Sequence, residues 1–166
     1  NGYIALLAPE VRNHGYMIAT KSSANTIAMA SGSDITLSIA GTGLVGVQVN
    51  ASVYNGLVKN SRVVETAGGL VIIAAGSASQ LLNSVIKNTG SISANSVVNS
   101  GGQVFLQASA LSNSGSISAN GQQNGGSISL LADGIQLLSG SSIQARSSNG
   151  NGGTINIGAN NVKVAP

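Results

Sequence analysis

The sequence predicts an all-β fold, a parallel β-solenoid, from three observations. The 166 residues include 26 Ser, 23 Gly and 18 Asn, all of which form helices poorly. Hydrophobic residues make up 42% of the chain, enough apolar surface to favour folding over disorder. One apolar phrase recurs six times, with apolar and small polar residues alternating as they do in half-buried strands. A Greek-key sandwich would not explain this recurrence, whereas stacked coils would.

The first recurring phrase is Gly-Gly-x-Val/Ile-x-Leu/Ile-x-Ala. Its copies begin at Asn1, Gly32, Gly68, Gly101, Gly125 and Gly152, the copy at Gly32 being the loosest. When the second position of the Gly pair is taken as origin, coils start near positions 2, 32, 69, 102, 126 and 153. We therefore expect about six coils of 24–37 residues, with insertions looping outward at the turns.

A second phrase, Asn-x-Gly-x-Ile-x-Ala, falls between copies of the first. It begins at Asn13, Asn88 and Asn113, and the copy at Asn60 is predicted to need one extra residue. A fifth copy, around Ser142, keeps only the end of the phrase. Each coil thus has the form strand, turn, strand, turn, and the recurring Asn side chains are expected to stack as an amide ladder.

The alternation within the phrases predicts which residues face the interior. The inward positions, which form aliphatic columns, include Ile117, Ala119, Ile128 and Leu130. The outward positions, which we expect to meet water, include Ser116, Ser118, Ser127 and Ser129. Residues 40–54 are the most apolar stretch outside this frame, so they are predicted to pack as a flap over one coil.

Composition excludes several functional classes. There is no Cys and a single His, which excludes a disulfide-stapled miniprotein, a Cys-ligated zinc site and an iron–sulfur protein. The seven basic residues are spread along the sequence and the chain holds four aromatic residues, so no nucleic-acid footprint is expected. No apolar run approaches the length of a membrane span, and no signal peptide opens the chain.

A further set of phrases follows a characteristic order along the chain, at residues 1–15, 18–21, 30–37, 43–49, 55–60, 67–69 and 82–90. Their order resembles that of the filamentous haemagglutinin-like exoproteins of Gram-negative two-partner secretion. The resemblance implies a right-handed parallel β-helix that acts as an adhesin at the bacterial cell surface or after release. It also implies export through an outer-membrane β-barrel transporter, and attachment to host or neighbouring cells with glycans among the candidate receptors.

The secretion signal of that family carries Asn-Pro motifs, and this chain departs from the pattern. Its two prolines are Pro9 and Pro166, and neither follows an Asn. We therefore expect the transporter-recognition residues to lie upstream of this sequence. Residues 1–166 are accordingly expected to be a single β-helix segment of a longer protein, at or just after its secretion domain.

Neither catalytic nor cofactor chemistry is predicted. Glycoside hydrolysis needs two neighbouring carboxylates, but Glu10, Asp34, Glu65 and Asp133 fall in different coils. Asp133 precedes Gly134 and is interpreted as a turn residue, and Glu65 as a solvated strand residue. Two Asp cannot supply the calcium-binding nonapeptide repeat, so no metal is expected.

Two groups of polar or aromatic side chains are candidates for a site. Glu10, Arg12 and His14 alternate along an extended segment and should share one face, which favours a hydrogen-bonded cluster over a catalytic one. Three tyrosines could contact sugar: Tyr3, Tyr16 and Tyr54.

Three alternatives to the adhesin remain open. The first is a secretion and folding-nucleation module without a ligand of its own. The second, an ice-binding solenoid, lacks the Thr-x-Thr rows that such a surface would need. The third is a polysaccharide-active β-helix.

Overall fold

The structure is a computed structural model that describes residues 2–20, 24–41, 43–51, 53–76 and 84–166. Several positions used above lie outside the described residues: Asn1, Lys21, Thr42, Ser52, Leu82 and Asn83. The described ranges contain sixteen β-strands and no helix. They are β1 (Tyr3–Ala8), β2 (Glu10–Asn13), β3 (Tyr16–Ala19), β4 (Thr26–Ser31), β5 (Asp34–Ala40), β6 (Gly43–Ala51), β7 (Leu57–Asn60), β8 (Val63–Thr66), β9 (Leu70–Ala75), β10 (Val85–Asn88), β11 (Ser91–Ser93), β12 (Gln103–Asn113), β13 (Ser116–Ser118), β14 (Ser127–Leu137), β15 (Ser142–Gln144) and β16 (Thr154–Val164).

Two parallel sheets and one antiparallel hairpin make up the fold, which confirms an all-β protein with parallel sheets. The larger sheet has nine strands in the order β1-β4-β9-β12-β10-β7-β2, with β14 paired to β12 and β16 paired to β14. The smaller sheet has five strands in the order β15-β13-β11-β8-β3. The strands β5 and β6 pair with each other in antiparallel orientation.

One register runs through the whole larger sheet. Successive equivalent positions are Tyr3, Thr26, Leu70, Gln103, Ser127 and Thr154. All of these residues except Thr26 follow a predicted origin, so starts near 2, 69, 102, 126 and 153 match the sheet register. At Gly102 a glycine is needed, because a Cβ there would lie 2.0 Å from the carbonyl oxygen of Gly69.

The predicted start near position 32 is wrong. Residues 34–40 form β5, which pairs antiparallel with β6, and β4 occupies the corresponding place in the parallel sheet. The phrase was hidden because Asn25, not glycine, stands at its origin. Asn25 closes this turn with its own side chain, accepting from the Gly2 N–H at 3.1 Å and donating to the Ala19 carbonyl at 3.1 Å.

The core is a single apolar cluster drawn from both parallel sheets. Ile117 and Ala119 enter it from the smaller sheet, while Ile128 and Leu130 enter from the larger, and all four are fully buried as predicted. Burial of each large aliphatic side chain contributes about 1.5–3 kcal/mol. The neighbouring outward serines at 116, 118 and 129 are half-exposed and Ser127 is exposed.

Inside the core, four asparagines form the predicted amide ladder. The Nδ2 of Asn13 donates to Oδ1 of Asn60 at 2.8 Å, and Asn60 donates to Asn88 at 2.9 Å. Asn88 then donates to Asn113 at 2.7 Å. The extra residue predicted after Asn60 is wrong, because Val63 pairs directly with Ser91 while Asn60 pairs with Asn88. In that copy an arginine, Arg62, stands where the copies at Asn13, Asn88 and Asn113 have glycine.

The hairpin of β5 and β6 covers the outer face of the larger sheet. Leu44 is 1% exposed and packs with Ala28 and Ile72, which point outward from β4 and β9. Val49 makes a second small cluster with Ala30 and Ala74. The packing predicted for the flap at 40–54 is thus confirmed, but the covering element begins earlier, at Asp34.

Candidate functional site

Three basic residues stack on the outward face of the larger sheet. Arg12 of β2 pairs in register with Lys59 of β7, and Lys59 pairs with Lys87 of β10. Because neighbouring strands lie about 4.8 Å apart, these cations are adjacent in space although 28 to 47 residues separate them in sequence. The expectation of scattered basic residues is therefore wrong. The cluster is formed by the register of the strands, so the positions of the basic residues in the sequence do not reveal it.

The same row of the sheet continues through three further strands. Lys87 pairs with Ser112, Ser112 with Gln136, and Gln136 with Lys163. We call the six outward residues from Arg12 to Lys163 the basic row. Its two ends are cationic, and its middle carries neutral hydrogen-bonding side chains.

A groove of about 430 Å³ lies along four of the six residues of the basic row, from Lys87 to Lys163. Its lining includes Ser112 and Gln136, together with Asn161 of β16. Two small residues in the adjacent outward row, Ala110 and Gly134, leave space at the middle of the groove. A Cβ added to Gly134 would meet no atom within 4 Å, so the space above it is open.

The lysines of the basic row carry uncompensated charge. Glu10 forms an ion pair with Arg12 and so offsets that end of the row. Within the described ranges no ion pair involves Lys59, Lys87 or Lys163. Like charges directly opposite on paired strands destabilise a sheet, so Lys59 and Lys87 repel each other unless an anion lies near both.

A local signal for this row was present in the sequence. Arg12, Lys59 and Lys87 each immediately precede an asparagine of the amide ladder. Since successive side chains of a strand point to opposite faces, a residue before an inward Asn must face outward. The recurring pairs Arg-Asn, Lys-Asn and Lys-Asn could therefore have located the basic row.

Of the predicted cluster at Glu10, Arg12 and His14, the structure joins only the first two, since β2 ends at Asn13 and His14 lies beyond it. All three side chains are exposed. Arg12 Nε donates to Glu10 Oε1, and His14 Nδ1 lies 3.0 Å from the Ser61 hydroxyl. These are two separate contacts, one within β2 and one between neighbouring turns.

The three tyrosines suggested as ligand contacts lie on different elements. Tyr3 belongs to β1, Tyr16 to β3 of the smaller sheet, and Tyr54 to the turn before β7. They are 44%, 67% and 73% exposed. Arg62 Cζ lies 6.0 Å from the ring centroid of Tyr16, a cation–π contact at the corner beside the basic row.

The four acidic residues occupy separate strands: Glu10 in β2, Asp34 in β5, Glu65 in β8 and Asp133 in β14. The described part of the chain contains no group of three or more His, Asp or Glu suited to a metal. Asp133 is not the predicted turn residue, because Ala132 and Gly134 on either side stay paired with β12 and β16. Its Oδ1 accepts from Asn160 Nδ2 at 3.4 Å.

Comparisons of the chain with protein-family models and with curated proteins found no match. The described ranges contain no helix that is long and apolar enough to cross a membrane.

Proposed function

We propose that the chain is a right-handed parallel β-helix segment of a filamentous haemagglutinin-like exoprotein and serves as a scaffold for surface attachment. The observation that carries the architecture is the constant register of both parallel sheets around one shared core. Parallel strands joined by crossovers within one sheet are almost always right-handed, which supports the hand. The hairpin β5–β6 is then an insertion on the outside of the helix.

The proposed role in attachment rests on what this architecture presents to solvent. A stack of coils has a packed interior without room for a substrate, so binding groups must lie on its outer faces and insertions. The basic row and the exposed tyrosines at 3, 16 and 54 are such groups. Secretion to the cell surface through an outer-membrane β-barrel transporter belongs to the same proposal and is supported by the order of the resembling phrases.

Removing one whole coil tests the architecture. Deletion of residues 103–126 joins Gly102 to Ser127, and Ser127 then takes the place of Gln103 opposite Leu70. Because each coil of a solenoid contacts only its neighbours, we expect this variant to remain folded, with a β-type circular dichroism spectrum and cooperative urea unfolding.

A deletion one residue shorter provides the matched control. Removal of residues 106–128 leaves one surplus residue inside the joined strand, which shifts the alternation and sends Leu130 and Ala132 toward solvent. We expect that variant to unfold. If both deletions unfold alike, the strands depend on contacts beyond neighbouring coils and the β-helix is wrong.

Binding to cells tests the role in attachment. We expect the labelled chain to bind epithelial cells saturably, with serum albumin as the blank, and to select glycans from a panel. The triple variant Tyr3→Ala, Tyr16→Ala and Tyr54→Ala shows how much the tyrosine rings contribute to this binding. Binding no greater than that of albumin would contradict attachment and favour the secretion and folding-nucleation module.

A further inference from the structure

From the groove between Lys87 and Lys163 we infer a binding site for a linear polysaccharide that carries one carboxylate on each sugar ring. The polymer would run along the basic row, across the strands rather than parallel to them. This inference rests on the proposed role in attachment and names the class of ligand. It depends on three properties of the row, namely its charge spacing, its shape and its hydrogen-bonding groups.

The charge spacing matches such a polymer. Lys59 and Lys87 lie one strand apart, about 4.8 Å, and Lys163 lies three strands beyond Lys87, about 14 Å. A pyranose ring advances a linear polysaccharide by a distance close to one strand spacing. Successive rings of such a chain turn about its axis, so a carboxylate faces the sheet only at every second or third ring. A threefold polyuronate can therefore place one carboxylate beside Lys87, near Lys59 as well, and the next one on that side opposite Lys163, without bending. Carboxylates there would also relieve the repulsion between the paired lysines.

The groove supplies the neutral contacts that sugar rings need. Between the terminal lysines its lining presents the hydroxyl of Ser112 and the amides of Gln136 and Asn161. These groups donate and accept hydrogen bonds, as sugar hydroxyls do. The open space above Gly134 lets a ring lie close to the sheet.

The same features favour a polysaccharide over a nucleic acid. The residues that line the groove include no aromatic side chain on which a base could stack. Three lysines in a single line also fall short of the roughly 6–10 phosphate contacts that typical duplex-binding proteins make. Nucleic acid is therefore an outcome of the test and not the ligand inferred.

The experiment measures binding of the full 166-residue chain to polygalacturonate at several salt concentrations. Neutral dextran and duplex DNA are the comparison polymers. We expect polygalacturonate to bind most tightly, with affinity that falls as salt rises. Lys87→Gln should weaken binding about fivefold to tenfold and reduce the slope of log K against log salt by about one, since one cation is lost.

Two further variants distinguish a defined binding site from general attraction of the polymer by the positive charge of the protein. Arg146→Gln removes one equally exposed charge away from the row and should change affinity by less than about twofold. Gly134→Leu removes no charge but fills the groove, and it should weaken binding about tenfold without shifting the urea midpoint. Equal losses for Lys87→Gln and Arg146→Gln would overturn the inference. Unchanged binding by Gly134→Leu, or tighter binding to DNA, would also overturn it.

Failure of this inference is distinguishable from failure of the proposed function. Saturable cell attachment without polygalacturonate binding would overturn the ligand class and leave attachment intact. Polygalacturonate binding that Lys87→Gln weakens, in a chain that does not attach to cells, would support the site and contradict attachment.

Discussion

Replacing Ile117 by aspartate is expected to unfold the protein under conditions in which the unaltered chain is fully folded. Ile117 is 0% exposed in β13, between Ile92 and Ile143 on the neighbouring strands. A carboxylate there would have to lie unpaired among aliphatic side chains or take up a proton at a cost in free energy. We expect a loss of at least about 4–5 kcal/mol, which is nearly the whole stability of a domain at the lower end of the usual range. Urea unfolding followed by circular dichroism would measure it.

Ser118→Asp is the matched control for that substitution. Ser118 is the next residue of the same strand and faces outward, so the change introduces the same carboxylate on the opposite face of the sheet. Ser118 is half-exposed and pairs with Ser93 and Gln144, neither of which is charged. We expect its free energy of unfolding to change by less than about 0.5 kcal/mol. Equal losses for Ile117→Asp and Ser118→Asp would show that the inward and outward faces of β13 are assigned wrongly.

The difference between these two neighbours was predictable from sequence because it depends on local alternation. Ile117 and Leu130 each belong to a phrase in which apolar and polar residues alternate, and a strand converts that alternation directly into two faces. The amide ladder was predictable for a similar reason, since its asparagines hold a fixed place in the second phrase. Both features were expected from residues within a few positions of one another.

The sequence pattern does not identify the copy of the first phrase that precedes β4, because Asn25 replaces its glycine. The β4 segment lacks the Gly pair and was passed over, whereas the better match at Gly32 belongs to a hairpin. The β5 segment alternates, whereas β4 is apolar from Ile27 to Ala30 because the hairpin covers its outer face, so alternation favours the wrong segment. The deciding difference is that Asn25 can close the turn with its own side chain.

The basic row was missed for a related reason. Arg12, Lys59 and Lys87 come together through register, and the register across the insertions depends on which residues are counted as part of a coil. With a coil start at 32, β4 and its insertion are divided at the wrong place. When the strands are aligned on the ladder asparagines, the basic residues that precede them occupy equivalent positions on neighbouring strands.

Replacing Asn88 by leucine tests the amide ladder, and we expect it to cost about 3 kcal/mol of unfolding free energy. The substitution removes two ladder bonds, those to Asn60 and Asn113, and leaves Oδ1 of Asn113 buried without its donor. Leucine itself is tolerated in this row, because Leu137 follows Asn113 in the same register. The loss therefore reports the hydrogen bonds more than the change in shape.

Asn113→Leu is the sharper comparison because it makes the same chemical change at the end of the ladder. It removes one ladder bond instead of two, and Asn88 Nδ2 keeps the Ser116 carbonyl at 3.4 Å. We expect a loss of about 1–1.5 kcal/mol, roughly half that of Asn88→Leu, in urea unfolding with unchanged m-values. Equal losses at the two positions would mean that each asparagine acts alone and that the ladder adds no stability of its own. A larger loss at Asn88 would instead establish that the asparagines stabilise the stack through one another, because the two substitutions differ chiefly in how many amide partners they remove.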